Sequence, residues 1–469
     1  MKKLKYISIP LLAFIMLFTT SCEEFLNVNE NPTQIREANL ESLLPTILES
    51  TSDLHNKTAL TAGRVTHQLD HVFGYYSEFR MESTWEEIYL KILNNADVVN
   101  ELATELKSPH YAGIAHVIQA VSIAMLADVY EDAPFSNALA GSEILKPTYD
   151  TQESLYNAAM SYLNDGIQFL ESENTGYEPG SDDMIYGGGI DKWVRLAHSL
   201  KARYMIHLSN KSSVNWNAIL TEVDLGMTSN DDNFSFYYNG GENKNPLHTG
   251  VALANLTGNF TYTHGKFLID LMNGASYGVT DPRLPFIAGL EAGETEYMGL
   301  ASYDEEAPAY TTAIDQNTWY GKADAPVVMM SFAELKLIEA EAALNVDAGR
   351  AYTAYMDAIS ANMDMLGVSS GDKTAYMEDP AVALGGTTDL EHIMKEKMIA
   401  LFMNAESWTD IRRHHFDDTI FKGFVIMEYL GRTEPGQRAL HPTTELTRNK
   451  ENEAAFSKDF TEVMWRDKQ

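Results

Sequence analysis

His67 and His71 stand four residues apart, the spacing that puts two imidazoles on one helix face, where they could clamp a metal ion. The hydrolytic zinc motif needs a glutamate directly after the first histidine as general base, and here that position is Gln68. With no obvious third ligand, both are expected to be ordinary helix histidines. Asn230-Asp231-Asp232-Asn233 offers hard oxygens, yet calcium loops set their ligands on alternate residues around a turn glycine, so a turn or helix cap is expected. Arg412-Arg413-His414-His415 closes a predicted helix, where cations interact favourably with the last carbonyls. A glycosidase needs two carboxylates about 5–10 Å apart. Among 67 acidic residues such pairs are unavoidable and carry no information. No nucleophile elbow, phosphate loop or Cys-His pair is expected, so the chain is predicted to hold no catalytic constellation, metal or cofactor.

Aromatic residues in polar loops are the better sign of a binding surface. Sugar rings and peptide side chains present C–H surface that stacks on a Tyr or Trp face, while the phenol or indole tip hydrogen-bonds. Tyr75, Tyr76, Tyr237, Tyr238, Phe260, Tyr262, Trp319 and Tyr320 lie among Gly, Asn or Ser and off any helical stripe; they are the candidate ligand contacts. Trp85, Trp193 and Trp408 sit on or beside apolar stripes and are expected in the core.

The elements that must position these residues are mostly helices. Trp85, Tyr89, Ile92, Ala96 and Val99 alternate three and four apart, tracing one apolar stripe. Ile114, Ile118, Val121 and Met125 repeat the pattern, with a stop before Pro134. Tyr156, Ala159, Leu163, Ile167 and Leu170 form a third stripe behind the caps Asp150-Thr151, and Trp193, Leu196, Leu200 and Tyr204 a fourth. From about 226 to 325, Gly, Asn, Asp, Thr and aromatics crowd together, predicting long loops and short strands around one helix near Lys266–Met272. Helices return at Ser331–Leu344, Ala351–Leu366, Asp389–Phe402 and around Glu406–His414, before an irregular tail from Gly431. The expected class is all-α, with helix pairs stacked in series like tetratricopeptide units, although their 34-residue consensus is absent.

Cys22 is the only cysteine, and it follows a basic, apolar and then small-residue run. Residues 1–21 therefore read as an export signal, Cys22 as the lipidated first residue, 22–33 as a tether and 34–469 as one domain. More than one acyl chain anchors a protein stably, so a permanent membrane tether is expected. No other apolar run is expected to reach the roughly 20 residues of a membrane span. Losing Lys2, Lys3 and Lys5 with the signal takes the formal charge from −33 to −36. So acidic a surface repels phosphate backbones, which argues against nucleic acid as a partner.

Taken in order, several segments resemble the SusD/RagB family of outer-membrane nutrient-binding lipoproteins, in particular its second SusD-like branch. They begin at Cys22 and Phe25–Pro32 and continue through Asp132–Ala138 and Thr148–Glu153. Trp193–Arg203 contains Ser-Leu-Lys-x-Arg, and Asp281-Pro282-Arg283-Leu284 follows. The strongest stretch is Ser331–Ala342 with Glu334, Glu339 and Glu341, then Ile393–Lys397 and Glu406–Arg413. Glu131 departs from the family, standing where a glycine is usual. The resemblance implies a helical scaffold with variable loops forming a ligand face. It also implies a lid on a SusC-like TonB-dependent outer-membrane barrel that captures oligosaccharides or peptides at the cell surface. A lipid-anchored glycan hydrolase and a structural surface subunit are the alternatives from other classes.

Overall fold

In the computed structural model, which describes residues 39–70, 78–258, 262–301, 311–426 and 434–468, the apolar stripes become helices that pack on their sequence neighbours. The first half contains α1 (Leu40–Val65), α2 (Asn94–Glu105), α3 (Pro109–Tyr130), α4 (Gln152–Leu170), α5 (Ile190–His207) and α6 (Trp216–Asp224). α3 packs against α2 and α4, α4 against α5, and α5 against α6. The middle holds α7 (Lys266–Met272). Beyond it α8 (Phe332–Ala343) and α9 (Ala348–Leu366) pack as a pair, followed by α10 (Leu390–Ala400) and α11 (Glu406–Arg413). The protein is mostly helical, as the stripes predict.

Local chemistry sets the boundaries. The Thr151 hydroxyl accepts from Ser154 N–H at the start of α4, and Ser331 and Asp389 cap α8 and α10 the same way. α9 ends on Gly367 at φ 85°, the left-handed closure that glycine adopts without strain. The strands are short antiparallel pairs: β1 (Leu69–Asp70) with β5 (Thr263–His264), β2 (Ala133–Pro134) with β3 (Tyr149–Asp150), and β4 (Phe234–Phe236) with β6 (Val327–Met330).

Three expectations need correcting. α3 is 22 residues long and contains an 18-residue stretch of mean hydropathy 1.6, enough to cross a membrane by length and composition, but 94% of that stretch is buried inside the protein. A helix apolar on every side is a core helix when neighbours cover it all round. His67 is not on a helix: α1 ends at Val65, and His67 sits in the following turn at φ 53°, so the backbone there does not present a histidine clamp. His71 lies outside the described residues. The tail is less irregular than expected, carrying helical turns at Thr443–Arg448 and Lys450–Glu453, and Met464, Arg466 and Asp467 are buried.

Several of the charged residues that carry the family resemblance turn out to be buried ion pairs. Arg203 of α5 donates through Nε and Nη2 to both oxygens of Glu334 on α8, each at 2.6 Å, and through Nη2 to the Met329 carbonyl at 2.9 Å. Arg283 pairs with Asp281 and Glu396, and Arg413 with Glu341 and Asp410. The Arg203–Glu334 pair joins α5 to α8, and the Arg413–Glu341 pair joins α11 to α8. The 412–413 cluster is thus interior: Arg413 is paired, and Arg412 lies over the Trp408 ring and donates to the Gln437 carbonyl at 2.7 Å.

Glu131, at the position where a glycine was expected, has φ 73° and is fully buried. A side chain there is strained. Its carboxylate compensates by pairing with Arg438 and Lys458 and accepting from Trp465 N–H.

Two buried imidazoles make stability depend on pH. Burial, and then the Arg203 cation, pulls His55 down to about 3; burial pulls His264 down to about 4. The unfolded chain takes up both protons near pH 6.5, so between that pH and about 4 it binds more protons than the folded protein. Stability therefore falls as pH drops through this window, by about 3 kcal/mol at pH 4 from His55 alone. His207 does not offset the loss. Burial opposes its charge, but Glu406 and Asp128 outweigh burial and raise its pKa, so its contribution is already complete below pH 6.5. Urea midpoints at pH 7, 6, 5 and 4.5 should fall steadily; a flat profile would show that neither imidazole stays neutral.

Candidate functional site

The loop-rich segment is held by side chains reaching across it. Asn245 donates to the Ala325 carbonyl at 2.8 Å and accepts from Leu247 N–H at 2.7 Å, starting a helical passage. That passage opens as a π-helix at His248–Ala252 and tightens into Leu253–Leu256. π-helical turns recur at functional sites because the extra residue displaces side chains from the regular register. From this turn Asn255 reaches two strands of loop, donating from Nδ2 to the carbonyls of Tyr262 at 3.2 Å and Ile314 at 3.1 Å. The 289 and 313 segments are joined by Gly289 N–H to the Ala313 carbonyl at 3.0 Å.

Between these pieces lies an open cavity of about 460 Å³, lined by Asn255, Leu256, Leu290, Glu291, Ile314 and Asp315 among others. Its size falls within the range of small-molecule sites, about 300–1,000 Å³. Leu256 is 53% exposed on its wall. Asn255 is the chemically telling residue. Two carbonyls hold its NH₂, which fixes the amide orientation, and its Oδ1 is buried with no partner among the described residues. An unmade hydrogen bond on a buried amide oxygen is costly, and a ligand hydroxyl or N–H would satisfy it. Apolar surface for C–H groups, one open acceptor and two carboxylates suit a neutral, donor-rich ligand.

The candidate aromatics do not gather into one wall. Tyr262 is half-buried, with its carbonyl bonded to Asn255. Trp319 is half-buried and Tyr320 buried, their rings 4.7 Å apart at 70°, with Tyr320 edge-on to Phe402. Tyr238 is buried and shares a hydrogen bond of 2.9 Å with Ser52, whereas its neighbour Tyr237 is 60% exposed. Tyr75, Tyr76, Phe260 and Cys22 lie outside the described residues. Trp85, Trp193 and Trp408 are buried, as expected.

The other candidate chemistry is structural. Asn230–Asp232 forms a short 3₁₀ turn in which Asp232 accepts twice from Arg195, both at 2.9 Å. Gln68 donates to the Met398 carbonyl at 2.7 Å. Asp128, His207 and Glu406 bring three ligand-type side chains together, yet Arg466 and Tyr156 donate to Asp128, and Arg203 lies 3.7 Å from Glu406. With two guanidinium cations among the donors, this is a charge cluster that has no room for another cation. One sequence expectation fails outright: Gly367-Val368-Ser369-Ser370-Gly371 has the Gly-x-Ser-x-Gly spacing. Here, however, Gly367 closes one helix and the Ser369 hydroxyl caps the next, accepting from Asp372 N–H, with no strand before it.

The fold is that of the SusD/RagB class. A SusD/RagB family protein from Bacteroides thetaiotaomicron superposes with a TM-score of 0.70 at 22% identity, covering 92% of this chain and 99% of its own. A chitin-binding SusD homologue from Flavobacterium johnsoniae gives 0.72 at 17% identity, covering 91% and 98%. A SusD homologue from Bacteroides uniformis gives 0.72 at 21%, covering 92% and 100%. No curated protein matches the chain. Residues 31–422 match the SusD-like family described as starch-binding associating with outer membrane, and the chain belongs to that family.

Proposed function

We propose that the protein is a cell-surface outer-membrane lipoprotein that captures oligosaccharides in the loop-side cavity. It presents them, as a lid, to a SusC-like TonB-dependent barrel. The observation that carries this reading is the cavity beside Asn255, whose unpartnered amide oxygen and apolar wall suit a sugar's hydroxyls and C–H face. Membership of a family described as starch-binding supports it, as do folds shared with chitin-binding proteins. The role is binding rather than catalysis.

The test is a screen of the purified protein against immobilised glycans and a peptide library. Retention of neutral oligosaccharides is expected; retention of peptides alone would move the ligand class, and retention of nothing would favour a structural role. Anchoring is tested separately. Cys22→Ala removes the only thiol, so the variant should lose palmitate labelling and leave the outer-membrane fraction, while its circular dichroism stays helical. A variant that still labels and sediments with outer membrane would contradict the anchor.

A further inference from the structure

A second, smaller cavity of about 80 Å³ adjoins Tyr130 at the end of α3 and is lined by Arg80, Arg438, His441, Glu453 and Lys458. In a chain with 67 acidic and 34 basic residues, three permanent cations around one small space call for an explanation. Much of that charge is already matched. Glu131 accepts from Arg438 Nη1 and lies 2.8 Å from Lys458 Nζ, Asp132 lies 2.6 Å from the same ammonium, and Glu453 lies 3.0 Å from His441 Nδ1.

Two donors are left over. Arg80 is half-buried and donates from Nη1 to the His441 carbonyl, a neutral acceptor, while its charge also acts on Glu82. Arg438 is 3% exposed, its Nη2 donates to the Glu462 carbonyl, and its Nε–H is buried with no acceptor. A buried guanidinium N–H left unmade costs free energy that an anionic acceptor would recover.

We propose that this cavity binds a small carboxylate anion between Arg80 and Arg438. The planar carboxylate matches guanidinium forks, and it would give the buried Arg438 Nε–H the acceptor it lacks. The volume equals about two or three waters at roughly 30 Å³ each, room for a two-carbon acid but not for a sugar acid. The site is independent of the glycan cavity.

The test titrates sodium acetate into the purified protein against sodium chloride at equal ionic strength, following heat and melting temperature. Acetate should bind saturably and raise the melting temperature above that in chloride. Arg80→Gln leaves the Glu131–Arg438–Lys458 cluster intact, so it should melt with the wild type in chloride and bind acetate about tenfold more weakly. Should Arg80→Gln melt early, Arg80→Lys keeps the charge without the fork and should still weaken acetate. Equal responses to acetate and chloride, an unchanged acetate affinity in both Arg80 variants, or equally tight binding of glucuronate would each overturn the proposal.

Discussion

Arg203→Met is expected to cost about 3–5 kcal/mol of stability, because it leaves the Glu334 carboxylate buried without its guanidinium. The starting geometry is unfavourable to any single replacement: Arg203 and Glu334 are 2% and 1% exposed and share two hydrogen bonds of 2.6 Å. Arg203 also lies 3.7 Å from Glu406, which in turn meets His207 at 2.8 Å, so the loss spreads from α5–α8 to α11. The double replacement Arg203→Met with Glu334→Leu should recover most of the loss, since a well-packed apolar pair avoids burying a lone charge. Urea unfolding of the wild type, both single variants and the double variant measures this directly. Additive losses in the double variant would mean that the two side chains do not act as a pair.

Trp193→Ala should destabilise the fold by a similar amount, about 3–5 kcal/mol. Its ring is fully buried against Tyr186 and Phe234, and its Nε1–H donates to Asp183 at 2.8 Å. Trp319→Ala is the informative contrast. Trp319 is half-buried beside Tyr320, in the same loop as the cavity-lining Asp315. As a stacking platform it should cost about 1–2 kcal/mol of glycan affinity, five- to thirty-fold, with a smaller drop in melting temperature than Trp193→Ala. If Trp319→Ala melts as early as Trp193→Ala while its folded fraction binds normally, Trp319 is a core residue and stacking must be sought at Tyr237 or Tyr262.

Helix positions were legible because an amphipathic stripe is a local property, and Trp193, Leu196, Leu200 and Tyr204 repeat at helical spacing and are all buried. α3 was harder to place because, with all faces apolar, its sequence does not distinguish a core helix from a membrane-crossing one. Charged residues misled in another way. Arg203 and Glu334 are 131 positions apart, so nothing local marks them as a buried pair rather than two solvated charges. Glu131 shows the same limit: its positive φ fits the expected glycine, but its counter-ions are Arg438, 307 residues away, and Lys458.

The candidate site was legible as a region and not as residues. The loop-rich span around 226–325 contains the whole cavity lining. Asn255, however, sits in a four-residue helix with no periodicity or motif to single it out, and its partner carbonyl at Ile314 is 59 residues on. The aromatic rule favoured Tyr238 and Tyr320, which their surroundings bury. An aromatic among Gly and Asn can close over its own loop as readily as over a ligand, and composition alone does not separate the two.

The most direct measurement of glycan capture is a calorimetric titration of neutral starch and chitin oligosaccharides into the wild type and Asn255→Ala. Saturable binding is expected in the wild type, weakened about five- to tenfold in Asn255→Ala by the loss of one ligand hydrogen bond, with helical content unchanged. Binding that is identical in the two proteins would take the ligand out of this cavity, and no heat with any neutral oligosaccharide would contradict glycan capture itself.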